Sequence, residues 1–208
     1  MMTCHVFTHE PGTFHMTSKQ VRRPEDIRGL KIRTGNATIA EFVTSLGGSS
    51  VQVPIMEAFE TLNRGMTEGI TIPWGGLVTM NFGKVVKVHT AIPLYVSTFT
   101  HNINKNTYNS LSITQKKALD DTCTPEFSAQ VYRHWGKEER DYEVKLINEP
   151  GAGRTIVKLT PDDVAAWKKS AEPVMASWKA AVTKAGHNAD EVYKDFVEEM
   201  RKGGALYQ

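Results

Sequence analysis

Apolar residues along this chain change their spacing several times, and each change marks the boundary of an element. Residues 30–34 alternate apolar and polar side chains, entered through Arg23, Pro24, Glu25 and Asp26 and the turn residue Gly29, which predicts a strand. Asn36 follows as a helix cap, with Ile39, Phe42, Val43 and Leu46 at helical spacing and Gly47 and Gly48 as the stop. A short apolar strand at residues 51–53 is closed by Pro54. A second helix carries Phe59 and Leu62 on one side and ends at Arg64 and Gly65. Residues 69–74 then form a buried strand whose functional end is Pro73 and Trp74. Strand, helix, strand, helix, strand predicts an α/β fold built on a parallel sheet.

Two β-branched and aromatic runs come next, at residues 85–88 and 95–103. Strands usually run to about five or six residues, so the second is long enough to pass from one lobe into another. The chain then turns polar. Ser112 and Gln115 make a capping box, opening a helical stretch towards Ile147 that Pro125 interrupts or kinks. Residues 149–153 form a turn, residues 155–159 a strand, and Thr160, Pro161, Asp162 and Asp163 open another helix. Trp167, Val174 and Trp178 give that helix an apolar side, and a last helix spans residues 191–201.

The length of 208 residues suits one large domain or two small ones, and 40% hydrophobic with 23% charged residues is an ordinary globular composition. Lys and Arg number 25 against 23 Asp and Glu, with no basic block, so a nucleic-acid partner is not expected. No apolar run reaches the roughly 20 residues of a membrane helix. The first fifteen residues lack a basic start, an apolar core and a small-residue cleavage site, so no export signal is expected within them. Cys4 and Cys123 are too few for a disulfide framework and lack metal-ligand spacing.

His5, His9, His15 and Glu10 cluster near the start, but Pro11 and Gly12 break any helix that would align them. They read as a solvated or domain-contacting segment, with no metal expected. Cys123 lies in a polar helix with no base beside it, so it reads as structural. No nucleophile elbow, zinc-protease motif or phosphate-cradling glycine pattern occurs, and neither catalytic residues nor cofactors are expected. Arg33 stands at the carboxyl end of a predicted strand, where open α/β sheets collect ligands. Its planar fork suits a carboxylate, although by residue type alone an arginine at a strand end is more often a surface or interdomain salt-bridge group. Trp74, at the end of another strand, reads as core or as an apolar wall for a ligand.

Residues 23–33, Arg-Pro-Glu-Asp-Ile-Arg-Gly-Leu-Lys-Ile-Arg, resemble the "P-x-D-L-K-G-L-K-I-R" segment of the solute-binding proteins of TRAP transporters, the DctP type. The likeness continues in order through Leu46-Gly47-Gly48, Val53-Pro54, Glu57-Ala58-Phe59, Leu62-Asn63-Arg64-Gly65 and Glu68-Gly69. Ile72-Pro73-Trp74 is similar to an "FPW" variant, and His101 to Lys105 with Tyr108 to Leu111 resemble the family's hinge region. It covers most of residues 13–180.

The resemblance implies a periplasmic protein of the type II binding fold: two α/β lobes joined by hinge strands, braced by a long helix, clamping an organic acid for a membrane permease. Within that plan residues 1–98 correspond to one lobe, the second of the family fold. Residues 99–147 correspond to a hinge strand with helices of or bracing the first lobe, and residues 148–208 to a return strand and terminal helices. Arg33 corresponds to the family's carboxylate-binding arginine. Asn36, Ile72, Pro73, Trp74 and Phe99 complete the expected ligand-binding set. Family members are longer, which implies that the signal peptide and most of the first lobe are missing here. Poor solute affinity of these residues alone, and self-association through the uncovered face, are therefore expected. Some sialic-acid-type members carry an arginine near residues 13–16 and an asparagine where this chain has Ile72. Their absence implies a less polar pocket, suited to a monocarboxylate with an apolar or aromatic body and Trp74 on its wall. An enzyme or a sensory ligand-binding domain on the same scaffold is the alternative.

Overall fold

The chain begins with two strands that the apolar pattern does not mark, β1 (Met2–Thr8) and β2 (Thr13–Met16). A computed structural model describes residues 1–148, 151 and 153–205. The expected alternation follows as β3 (Lys31–Arg33), α1 (Ala37–Ser45), β4 (Ser49–Val51), α2 (Ile55–Asn63) and β5 (Gly69–Ile72). After α3 (Gly76–Thr79) come β6 (Val88–Ala91), β7 (Thr98–Ile103), α4 (Lys105–Ser110) and α5 (Ile113–Thr122). The 24-residue α6 (Pro125–Asn148), β8 (Thr155–Lys158), α7 (Pro161–Ser170), α8 (Glu172–Lys184) and α9 (Ala189–Lys202) complete the order.

Local chemistry sets most boundaries as expected. Asn36 caps α1 by accepting from the Ile39 amide at 3.0 Å, and Ser112 and Thr160 each close a capping box. Pro125 does interrupt the polar stretch: α5 stops at Thr122 and the proline starts α6, where its missing N–H costs nothing. The strand expected at residues 85–88 is displaced, since Phe82–Lys84 form a 3-10 turn and β6 starts only at Val88. The strand expected at residues 95–103 is shorter, because Tyr95 forms an isolated bridge with Gly12 and regular pairing begins at Thr98. Of the expected turn at residues 149–153, Glu149, Pro150 and Ala152 lie outside the described residues.

The main sheet has six strands in the order β4-β3-β5-β2-β6-β8. It is mixed rather than parallel: β3 runs parallel to β4 and β5, β6 runs parallel to β8, and the central β2 runs against both β5 and β6. All four residues of β2 are buried, so neither alternation nor a long apolar run announces it. Phe14 and Met16 join Ile27, Ile32, Phe42 and Trp167 in one core. On the other face Ile70, Ile72, Trp74, Leu77, Phe82 and Leu146 form the second. Outside this sheet, β1 and β7 pair antiparallel as a ribbon packed against α6.

His15 belongs to β2 and is fully buried, not solvated. Its Nε2 lies 3.1 Å from the Ile72 carbonyl, and its Nδ1 lies 2.9 Å from His89 Nδ1. The carbonyl can only accept, so His15 carries its proton on Nε2 and accepts from the Nδ1–H of His89. That arrangement requires the His15 ring to be neutral. Burial, with repulsion between the two rings were both to protonate, holds His15 well below its ordinary value, and burial beside Arg154 and Lys87 holds His89 at about 4.

The cysteines correct the sequence reading. Cys4 of β1 and Cys123, just past α5, form a disulfide across 119 residues of chain, tying the ribbon to the α5–α6 corner. Two cysteines far apart in sequence give no spacing signal, and only the fold brings them together.

Reduction should destabilise the chain by about 2–4 kcal/mol, because the unfolded state regains the freedom of a long loop. Thermal melts with and without a phosphine reductant, with alkylation mass analysis, check this. Acid should also destabilise it. The unfolded histidines take up protons below about pH 6.5 while the folded pair refuses them, so stability falls from there towards about pH 4. Urea melts at pH 7 and pH 5 should differ by on the order of 2 kcal/mol for each histidine of the pair, with about half the total difference in His89→Asn.

Candidate functional site

β3 ends at Arg33 between two parallel neighbours, so the guanidinium emerges at the carboxyl edge of the sheet, where such sheets leave a crevice. Its Nε and Nη2 donate to the Val53 carbonyl at 3.2 and 2.9 Å. Arg33 is 7% exposed, yet among the described residues no carboxylate lies within ion-pair distance of it. Burial lowers its pKa, and nearby Tyr95 opposes that shift. A cation held in this way carries an unpaid desolvation penalty that an anionic ligand can offset.

Gly35 keeps the space beside it open. A Cβ placed there would lie 3.5 Å from the Tyr95 hydroxyl and 3.9 Å from Arg33 Nη1, so both polar groups face one small volume. Thr71, buried on β5, borders the same cleft, with its hydroxyl turned away from solvent. It sits close enough to Tyr95 to temper the upward shift that burial gives the phenol. Arginine and tyrosine thus present two polar groups to one small space.

The cleft holds about 580 Å³, within the usual range of small-molecule sites. Ile55, Ile72, Met80, Phe99 and Trp135 supply its apolar walls. Phe99 is 39% exposed and sits 5.5 Å from the Phe7 ring and 5.6 Å from the Trp135 ring. Asn36 lines the cleft, but its side chain is already committed to capping α1 and to a 3.0 Å bond with Ser97. His9 also lines it, buried and kept from protonating chiefly by that burial, and accepts the Ser97 amide on Nε2 at 3.1 Å. A second cavity, between α1 and the α7–α8 corner, is mostly apolar and lacks a buried arginine.

Five of the six expected ligand residues therefore meet around one cleft: Arg33, Asn36, Ile72, Pro73 and Phe99. Trp74 does not. It is 2% exposed within the second core, its ring 5.0 Å from His15 and 5.7 Å from His89. β5 ends at Ile72, and the chain turns at Trp74, which carries the indole into the second core. The aromatic wall comes from Phe99 and Trp135 instead. Sequence reading missed Thr71, Tyr95, Trp135 and Glu139 because they come from four separate segments.

The family profile of bacterial extracellular solute-binding proteins, family 7, matches residues 6–181. The chain belongs to the DctP family. Solved structures agree with this. A TRAP periplasmic solute-binding protein from Bordetella bronchiseptica, with bound (R)- and (S)-mandelate, superposes with a TM-score of 0.85 at 24% identity. That match covers 97% of this chain and 64% of the other. A TRAP solute-binding protein from Rhodoferax ferrireducens T118, in complex with copurified benzoate, matches with a TM-score of 0.80 at 21% identity. It covers 91% of this chain and 60% of the other. A marine metagenome TRAP solute-binding protein specific for aromatic acid ligands, in complex with metahydroxyphenylacetate, matches with a TM-score of 0.80 at 25% identity. The coverage there is 92% and 61%. The chain thus spans less than two thirds of the length of these relatives.

In this DctP chain the long α6 reaches the cleft through Glu139, which is 7% exposed. Its Oε2 accepts the Gly75 amide at 2.6 Å and its Oε1 accepts the Trp135 indole N–H at 3.2 Å. Burial pushes this carboxyl upward, and those two donors hold it back. The latch joins α6 to the loop that follows β5, and a Cβ on Gly75 would collide with the carboxylate. Gly75→Ala should therefore cost about 1–3 kcal/mol of stability in urea melts while leaving the secondary structure, read by circular dichroism, unchanged.

Proposed function

We propose that the chain is the solute-capturing component of a TRAP-type transporter, holding an organic carboxylate at Arg33 and presenting it to the membrane permease. One observation carries the reading: a buried guanidinium, with no counter-ion among the described residues, shares a small space with the Tyr95 hydroxyl. Nη1 of Arg33 and the Tyr95 hydroxyl supply hydrogen bonds to the carboxylate, the first of them charge-assisted on both sides. The walls of Ile55, Ile72, Phe99 and Trp135 suit an apolar or aromatic body. Mandelate, benzoate and metahydroxyphenylacetate in the related structures support that class of cargo.

The six-stranded sheet forms one lobe of the binding fold. The β1–β7 ribbon with α4, α5 and α6 belongs to the hinge and to the other lobe, the first of the family fold. No bond in the cargo is made or broken. Binding favours a closed arrangement through contacts that exist only there, and the permease reads that arrangement. The disulfide supports an extracytoplasmic location, where thiols oxidise and stay oxidised.

Melting shifts at millimolar ligand test the class of cargo: aromatic monocarboxylates should give larger shifts than dicarboxylates or sugar acids, and the reverse order overturns it. Arg33→Met should weaken carboxylate binding at least tenfold. The same change should leave the unliganded protein as stable or up to about 4 kcal/mol more stable, because it removes a buried, unpaired charge. Titration calorimetry and urea melts on the same variant read the two effects separately.

A further inference from the structure

The cleft holds a second charge with the opposite sign and the same lack of a partner. Glu139 lines the cleft together with Arg33, is 7% exposed, and has no lysine, arginine or histidine within ion-pair distance among the described residues. Its two donors, the Gly75 amide and the Trp135 indole, use one lone pair on each oxygen. Each oxygen retains acceptor capacity. Glu10 and Glu138 add negative charge nearby rather than relieving it. Arg33 and Glu139 do not neutralise each other, since neither is among the groups that shift the other's ionisation. Apolar side chains, Ile72 and Trp135 among them, line the same cleft.

We infer that Glu139 is a specificity-determining residue that accepts a hydrogen bond from a hydroxyl or ammonium group of the cargo and repels a second carboxylate. The inference rests on the reading of Arg33 as the carboxylate holder. The cargo class becomes narrower: an acid with an apolar middle and a hydrogen-bond donor away from its carboxylate. A donor meeting a desolvated carboxylate forms a charge-assisted bond, whereas a second carboxylate there would bring two like charges together. A cargo without the donor would leave the Glu139 charge without a new partner in the closed cleft.

The experiment uses benzoate and its derivatives bearing hydroxymethyl, aminomethyl or carboxylate at ring position 3 or 4. Each is titrated into the full chain by calorimetry, or by protein NMR where binding is weak. The better-placed hydroxymethyl or aminomethyl isomer should bind about tenfold more tightly than benzoate, and the two dicarboxylates at least tenfold more weakly. Whichever donor series gains affinity distinguishes a hydroxy acid from an amino acid. Glu139→Gln, confirmed folded by its melting curve, should reduce both ratios and admit the dicarboxylates. Benzoate binding that disappears in Arg33→Met, together with derivatives all within twofold of benzoate in the unaltered protein, would overturn the role of Glu139 and leave that of Arg33 standing. Ratios unchanged in Glu139→Gln would overturn it as well. If no acid binds, benzoate included, the reading of Arg33 fails and takes this inference with it.

Discussion

A positive charge sealed away from water without a negative partner is costly, and the surroundings of Arg33 are organised around that cost. Two of its nitrogens are held by one backbone carbonyl, which fixes the fork without neutralising it. The remaining nitrogen faces a space that exists because residue 35 has no side chain. Replacing that glycine, supplying an internal acid or exposing the arginine to solvent would each make the protein easier to fold and worse at holding an anion. Function and stability pull in opposite directions at this position, a common feature of sites shaped for a ligand.

The site depends on α6 as much as on the sheet. Trp135 and Glu139 lie one helical turn apart, so the indole that walls the cleft also donates to the carboxylate that latches the loop after β5. Farther along, Leu146 enters the second core. Tyr132 and Arg140 both bond to Glu10 on the segment between β1 and β2. One helix therefore contacts the ribbon, the sheet and the cleft, and any relative movement of these parts acts on the cargo through it.

Much of this was legible in the sequence where a local rule was at work. The cap at Asn36, the stop at Gly47, the box at Ser112 and the arginine at a strand end each depend on a few adjacent residues. The readings that missed have a shared physical origin. β2 is buried on both faces with a histidine in it, so its polarity suggested solvent when its partner was His89, 74 positions away. The position of Trp74 at a strand end and its likeness to an "FPW" segment suggest a cleft wall, although the turn after β5 carries it into the core. Tyr95, Thr71 and Trp135 converge only through long-range pairing, for which a single sequence holds no local mark.

The bond between residues 4 and 123 also has a topological meaning. It closes a covalent circuit that contains β2 to β6 and leaves β8, α7, α8 and α9 outside. A protease cutting once between those two residues would not release a fragment, because both pieces would remain joined through sulfur. Five of the six strands of the main sheet are tethered at both ends by the chain itself, whereas the sixth arrives on a free arm.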